Sequence, residues 1–232
     1  MYFGTNIYTG EKVLYDRHQY YQENGSANLL IHGISGTGKT QLCRREIKEL
    51  ESLHEGARVF YFLPGKKAEK ERTGRGFLLS IAERGKIECH LHELSELNKQ
   101  FFLENGLLIK KAENSSVRPA YIYIDGLEEL HPDHIAELEK LIASPDGRHN
   151  IYTICTKVLY PEDRYHNLLL LVDRISILAP TKSEQENCSL MQYLTREEKN
   201  TFDSMRDDDE IQFFGILCSK RKNGADNQLF FY

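Results

Sequence analysis

The sequence has no apolar run near the roughly eighteen residues that a membrane-spanning helix needs. Its start, Met1-Tyr2-Phe3-Gly4-Thr5-Asn6, lacks the basic stretch and apolar core of a secretion signal. Together these absences predict a soluble, cytoplasmic chain with no intrinsic membrane span. Cysteine is sparse: five residues, at 43, 89, 155, 188 and 218, and no Cys-x-x-Cys pair. An odd count without that spacing argues against a disulfide framework or a structural zinc site. Cys89-His90-Leu91-His92 reads as polar and apolar residues alternating on a strand rather than as metal ligands, and Cys155 and Cys218 read as small core residues. Excess basic charge is also missing. Thirty Lys and Arg face 35 Asp and Glu, a formal net charge of −5. That balance excludes a simple histone-like coat for nucleic acid and leaves room for a few local basic contacts. There is no internal repeat, no low-complexity segment and no obvious linker.

What is present is an ordinary globular composition, 40% hydrophobic and 28% charged, over 232 residues. Short apolar runs alternate with helical patterns. Ala27–His32, Arg58–Leu63, Tyr121–Ile124, Asn150–Thr156 and Asp173–Leu178 read as strands, with a weaker one at Lys86–His92. Helical spacing covers Thr40 to about His54, Phe77–Glu83, Leu94–Asn105, Pro132–Ala143, Ser183–Leu194 and Thr195–Met205. Ile211–Ser219 and Asn227–Tyr232, around Asn223-Gly224, read as a closing hairpin. Alternation over this length predicts an α/β fold: a mainly parallel sheet between helical layers, with ligands at the carboxyl ends of the strands.

Gly33-Ile34-Ser35-Gly36-Thr37-Gly38-Lys39-Thr40 matches G-x-x-x-x-G-K-[ST] in full, with a strand running in and a helix running out. Such glycines let backbone N–H groups wrap a phosphate, and the helix N-terminus adds a favourable dipole. The pattern predicts binding of ATP with Mg²⁺. Lys39 reaches the β- and γ-phosphates, and the Thr40 hydroxyl serves the metal. Asp125, ending the strand Tyr121-Ile122-Tyr123-Ile124, is the second metal-holding candidate. Hydrolysis also needs a group that orients water. Glu128 is the first candidate and Glu129 the second, because Gly126 stands directly after the aspartate. A basic cluster, Lys66, Lys67, Lys70, Arg72 and Arg75, follows the second strand, and Lys220-Arg221-Lys222 sits at the last hairpin. As loops lining a pore these would follow the phosphates of double-stranded DNA; as a solvated surface they would do nothing, and Glu69 and Glu71 interleave.

With both motifs placed, the chain resembles the FtsK–HerA class of P-loop ATPases, in its HerA and conjugation-type or viral genome-packaging members. Gly4–Val13 looks like the hairpin before their nucleotide loop, Leu29–Thr40 like the loop itself. Gly147–Thr156 and Asp173–Leu178 look like two following strands, and Phe213–Tyr232 like the final hairpin. The resemblance implies a RecA-like three-layer sandwich forming one P-loop domain over 1–232, with a lead-in at 1–26, a nucleotide-binding core at 27–180 and helices plus hairpin at 181–232. It implies a DNA-stimulated ATPase that translocates or packages DNA as a hexameric ring. Arg148 falls at the class's arginine-finger position, acting in trans on a neighbour's site, and Thr156 or Lys157 at its sensor. Two alternatives stay open: a nucleotide-gated AAA or NACHT-type signalling switch, to which Asp125–Leu130 is similar, and a secretion or conjugation energiser of the same fold.

Overall fold

A computed structural model describes residues 1–73, 76–108, 118–157, 166–178, 194–206, 214–219 and 227–232. Among these residues ten strands form one mixed sheet in the order β2-β1-β10-β9-β8-β3-β7-β6-β4-β5. Its parallel part holds β3 (Leu29–His32), β4 (Arg58–Leu63), β5 (Glu88–Glu93), β6 (Tyr121–Asp125), β7 (Ile151–Thr156) and β8 (Arg174–Leu178). To the β8 edge are added, all antiparallel, β9 (Phe214–Ser219), β10 (Gln228–Phe231), β1 (Tyr2–Asn6) and β2 (Lys12–Leu14). The fold class is therefore α/β with a mixed sheet. The expected N-terminal and C-terminal hairpins both exist, and they pair with each other: Thr5 faces Phe231 and Asn6 faces Phe230. The turn at 223–224 and most of the helix expected at 183–194 lie outside the described residues.

The inner strands β3, β4, β6 and β7 are buried on both faces because both faces are covered. On one side Leu42, Ile47 and Leu50 of α2 (Lys39–Leu53) pack with Ala68, Leu78, Ile81 and with Leu29, Ile31, Val59, Tyr61 and Tyr123 of the sheet. On the other, Phe101, Phe102, Ile135, Leu138 and Met205 pack with Leu30, Phe60, Phe62, Ile122 and Ile154. Alternate residues of one strand thus serve opposite cores, as the two-residue strand period requires.

Three local readings change. The polar segment after β2 is a helix, α1 (Arg17–Asn24), which Asp16 caps by accepting from the Gln19 N–H at 2.9 Å, and Gly25 ends at φ 76°. Pro64-Gly65 does not open a loop: Gly65–Thr73 forms α3, followed by α4 (Phe77–Arg84). The helix expected over Leu94–Asn105 divides into a 3-10 turn at Leu94–Glu96 and α5 (Lys99–Glu104), which restarts at Asn98, its side chain accepting from the Phe101 N–H. Further along lie α6 (Pro132–Ala143), α7 (His166–Leu171) and α8 (Arg196–Arg206). Among the described residues no helix is long and apolar enough to cross a membrane.

Candidate functional site

The loop between β3 and α2 sits at the carboxyl end of the parallel sheet, where such folds place their ligands. Its glycines are there for steric reasons. Gly36 and Gly38 have φ of 91° and 84°, a region that side chains resist. A β-carbon on Gly33 would lie 2.5 Å from Thr37 Oγ1 and 2.9 Å from the Leu178 carbonyl. Gly38 then starts α2, leaving the first N–H groups of that helix directed at the loop.

Lys39 is buried, and its ammonium donates to the carbonyls of Gly33 and, at 2.7 Å, Ile34. Burial lowers its pKa, while Cys155, Asp125 and Glu128 act in the opposite direction. Thr40 Oγ1 donates to Asp125 Oδ2 at 2.8 Å, which joins the end of β6 to the first turn of α2. Tyr61 OH donates to the same oxygen at 3.4 Å. A hydroxyl and a buried carboxylate side by side are hard oxygen donors, and their chemistry fits Mg²⁺. The loop, Lys39, Thr40 and Asp125 are thus brought together by the fold.

Other sequence candidates are placed differently. Gly126 has φ 115°, and a β-carbon there would lie 3.1 Å from Pro64 Cγ. A side chain directly after Asp125 would therefore be strained. The chain enters a 3-10 turn at Leu127–Glu129. There Glu128 accepts from the Lys157 N–H at 3.1 Å and lies 3.4 Å from Lys157 Nζ; Glu129 is exposed. Thr156 is buried at the end of β7, its carbonyl accepting from the Gly33 N–H at 3.2 Å. Arg148 is exposed on the 3-10 turn before β7. It stands at the amino end of a strand parallel to β3, the length of β7, roughly 20 Å, from the loop. Within one chain it does not meet Lys39 or Asp125.

The basic cluster corrects the loop reading. Lys66, Lys67, Lys70 and Arg72 ride on helix α3. Arg72 is engaged by Glu93 and Glu96, at 3.2 and 3.6 Å. Lys67 and Lys70 line a cavity with Thr40 and Asp125. Arg75, Lys220, Arg221 and Lys222 lie outside the described residues.

Two participants were missed in the sequence. Tyr232 donates its hydroxyl to the Thr37 carbonyl and sets its ring against Gly38. Only its position in the sheet, one residue past β10, brings it there. Arg17, 2% exposed, lies beneath α2 and pairs with Glu46. The Asp16 cap and Gly25 stop are the signals that would have revealed its helix.

The cytoplasmic domain of EssC matches 98% of the chain at 18% identity and a TM-score of 0.59. The cytoplasmic domain of the Thermomonospora curvata type VII secretion ATPase EccC matches 100% of it at 11% identity and a TM-score of 0.62. At such identities the likeness establishes the α/β NTPase-like fold, and this chain spans 41% and 26% of those two chains. Curated proteins show no match. The family model described as nephrocystin 3, N-terminal, matches residues 9–156, well over half of the sequence and the segment from just before β2 to the end of β7; the chain belongs to that family.

Proposed function

We propose that Gly33–Thr40 and Asp125 form the MgATP site of a RecA-like P-loop ATPase, and that the chain acts as a ring-forming motor of the FtsK–HerA kind. One observation carries the reading: Thr40 Oγ1 and Asp125 Oδ2, 85 residues apart in sequence, meet at 2.8 Å beside the glycine loop. Bound Mg²⁺ would neutralise charge on the phosphates. Thr40 and Asp125 would hold it, Lys39 would leave its loop carbonyls for the phosphate oxygens, and the loop N–H groups would cradle the β-phosphate. Glu128, presently tied to Lys157, would orient water once released. The absence of an acid at Gly126 and the Glu128–Lys157 tie favour slow, gated hydrolysis.

We further infer one functional unit over 1–232, because the terminal hairpins share the central sheet. Arg148, remote from its own site, would complete a neighbour's in a homo-oligomeric ring, where such a finger contributes about 10³–10⁵ in rate. EssC and EccC, the latter described as a secretion ATPase, support a motor that energises transport. Among the described residues after 194, the single helix α8 is followed by the β9–β10 pair rather than by further helices, which favours this over the AAA or NACHT-type switch. With α3 placed beside the site, the surface read as DNA-binding has lost most of its described residues, so protein transport is the favoured cargo reading.

The experiment is MgATP binding and phosphate release by the wild type, Lys39→Ala and Asp125→Asn, with and without double-stranded DNA, beside light scattering for subunit number. Binding lost in both variants, and a multimer whose turnover falls with Arg148→Ala, is the expected result. Unchanged binding in Lys39→Ala would sink the site, a strict monomer the ring, and strong DNA stimulation the preference for protein cargo.

A further inference from the structure

Helix α3 sets residues 67, 70 and 71 on one face by its three- and four-residue spacing. That face closes a cavity of about 470 Å³ whose wall also includes Thr40, Arg44, Tyr61 and Asp125. The cavity therefore opens directly onto the pair of oxygen donors. Ala68, wholly buried, anchors the helix against the core and fixes which face looks inward.

The cations around this space are not equivalent. Arg44 is already paired with Glu71, and its guanidinium lies 5.3 Å from the centre of the Phe77 ring. Lys39 is engaged by the loop carbonyls. Lys67 is different: its Nζ stands 3.9 Å from Asp125 Oδ1, the far limit of an ion pair, on a side chain 45% exposed. Asp125 itself is 3% exposed, and its other oxygen is taken by Thr40 and Tyr61. The ammonium thus rests on the one oxygen of Asp125 that these two hydroxyls leave open, as a weakly held and movable charge. A divalent cation at the same carboxylate repels it. An ammonium on a four-carbon stem then has the reach and freedom to turn to the anion that arrives with the cation.

We propose that Lys67 is a cis-acting sensor of the terminal phosphate, resting on Asp125 while the site is free of nucleotide and moving to the γ-phosphate oxygens of a bound nucleoside triphosphate, with Lys70 on the same wall. The proposal rests on the nucleotide reading above and adds to it. A diphosphate leaves the Lys67 ammonium without its new partner, so this residue separates ATP from ADP. It also places within each chain part of the charge that a finger would otherwise bring from a neighbour.

The test compares MgATP and MgADP affinities of the full chain by calorimetry, a readout that needs no turnover. Lys67→Ala should weaken ATP about tenfold, the size of one charge-assisted hydrogen bond, and leave ADP within about twofold. Lys67→Arg should restore most of the difference. Equal loss for ATP and ADP, or no loss for either, overturns the sensor while leaving the nucleotide site standing. A wild type that binds neither nucleotide in the presence of Mg²⁺ overturns both, and Lys39→Ala, expected to lose both nucleotides, marks the difference. Lys67 is half exposed and packs into no core, so the variant's fold is not at stake.

Discussion

Arg17 Nη1 donates to Glu46 Oε2 at 2.8 Å in the interior, with both side chains almost wholly withdrawn from solvent. The guanidinium also donates to the carbonyls of Ala27, at 2.9 Å, and Tyr152, at 2.6 Å, and to Thr153 Oγ1. Tyr123 OH completes the set by donating to Glu46 Oε2 at 2.7 Å. One buried cation therefore ties α1 and the lead into β3 to the middle of β7 and to the helix that begins at Lys39. Removing one partner of such a pair leaves a charge without compensation. Arg17→Met should cost about 3–5 kcal/mol in urea unfolding, far more than an exposed pair such as Arg84–Glu51. A loss below about 1 kcal/mol would show that the network is not an anchor.

Lys39 makes nucleotide affinity depend on pH. Burial holds its ammonium below the ordinary lysine range in the free protein, against the pull of Cys155 and Asp125. A triphosphate in the loop favours the charged form, so binding takes up a proton when the free lysine has lost its own. MgATP affinity should then fall as pH rises through the lowered value, in the alkaline range beneath that of an unperturbed lysine. Stability runs the other way. The unfolded chain binds the extra proton in that window, so the free protein gains stability as pH rises through it. Calorimetric titration across the alkaline range checks the first, denaturation at the same pH values the second. Lys39→Arg, always charged, should flatten both.

Tyr232 should act on the loop without touching the phosphates. Its hydroxyl bonds the Thr37 carbonyl, and its ring is so close to Gly38 that an added β-carbon would sit 2.7 Å from Cε2. Tyr232→Phe keeps the ring and gives up one hydrogen bond, about 1 kcal/mol of loop ordering. Tyr232→Ala gives up both. Amide exchange at residues 33–38 should quicken in the order wild type, Phe, Ala, with MgATP affinity falling in step. Identical exchange in all three would leave Tyr232 as packing alone.

The central strands were legible from residues because they are apolar on both faces: Arg58–Leu63, stopped by Pro64, occurs as read, and Tyr121–Ile124 gains only Asp125. Helices α1 and α3 were hidden for the opposite reason. Each buries a single side chain, Arg17 or Ala68, so neither shows an apolar stripe. They are held by capping, by the Arg17–Glu46 pair and by ion pairs such as Arg44–Glu71, which involve residues far off in sequence. The loop and Asp125 could be named as candidates from the sequence because their pattern is local, and the fold sets Thr40 against Asp125. The placing of Lys67, Tyr232 and Arg148 depends on how α3, β10 and β7 sit in the sheet, and no spacing along the chain encodes that.

Gly126 separates two explanations for its own presence. If the missing acid were simply lost, restoring it should speed hydrolysis. The backbone argues otherwise: at φ 115° a side chain is strained, and its β-carbon would press on Pro64 at 3.1 Å. The same turn brings Glu128 to Lys157, whose N–H and ammonium both engage its carboxylate. Gly126→Ala and Gly126→Glu should each destabilise the fold by about 1–3 kcal/mol, the usual cost of such a conformation, with ATP turnover lowered rather than raised. Glu128→Gln should lower turnover with little change in MgATP affinity, because it accepts from Lys157 still but cannot take a proton from water. Thermal unfolding together with phosphate release reads all three variants. Faster hydrolysis in Gly126→Glu at undiminished stability would mean that the turn can carry an acid after all, and that Glu128 is not the residue that orients water.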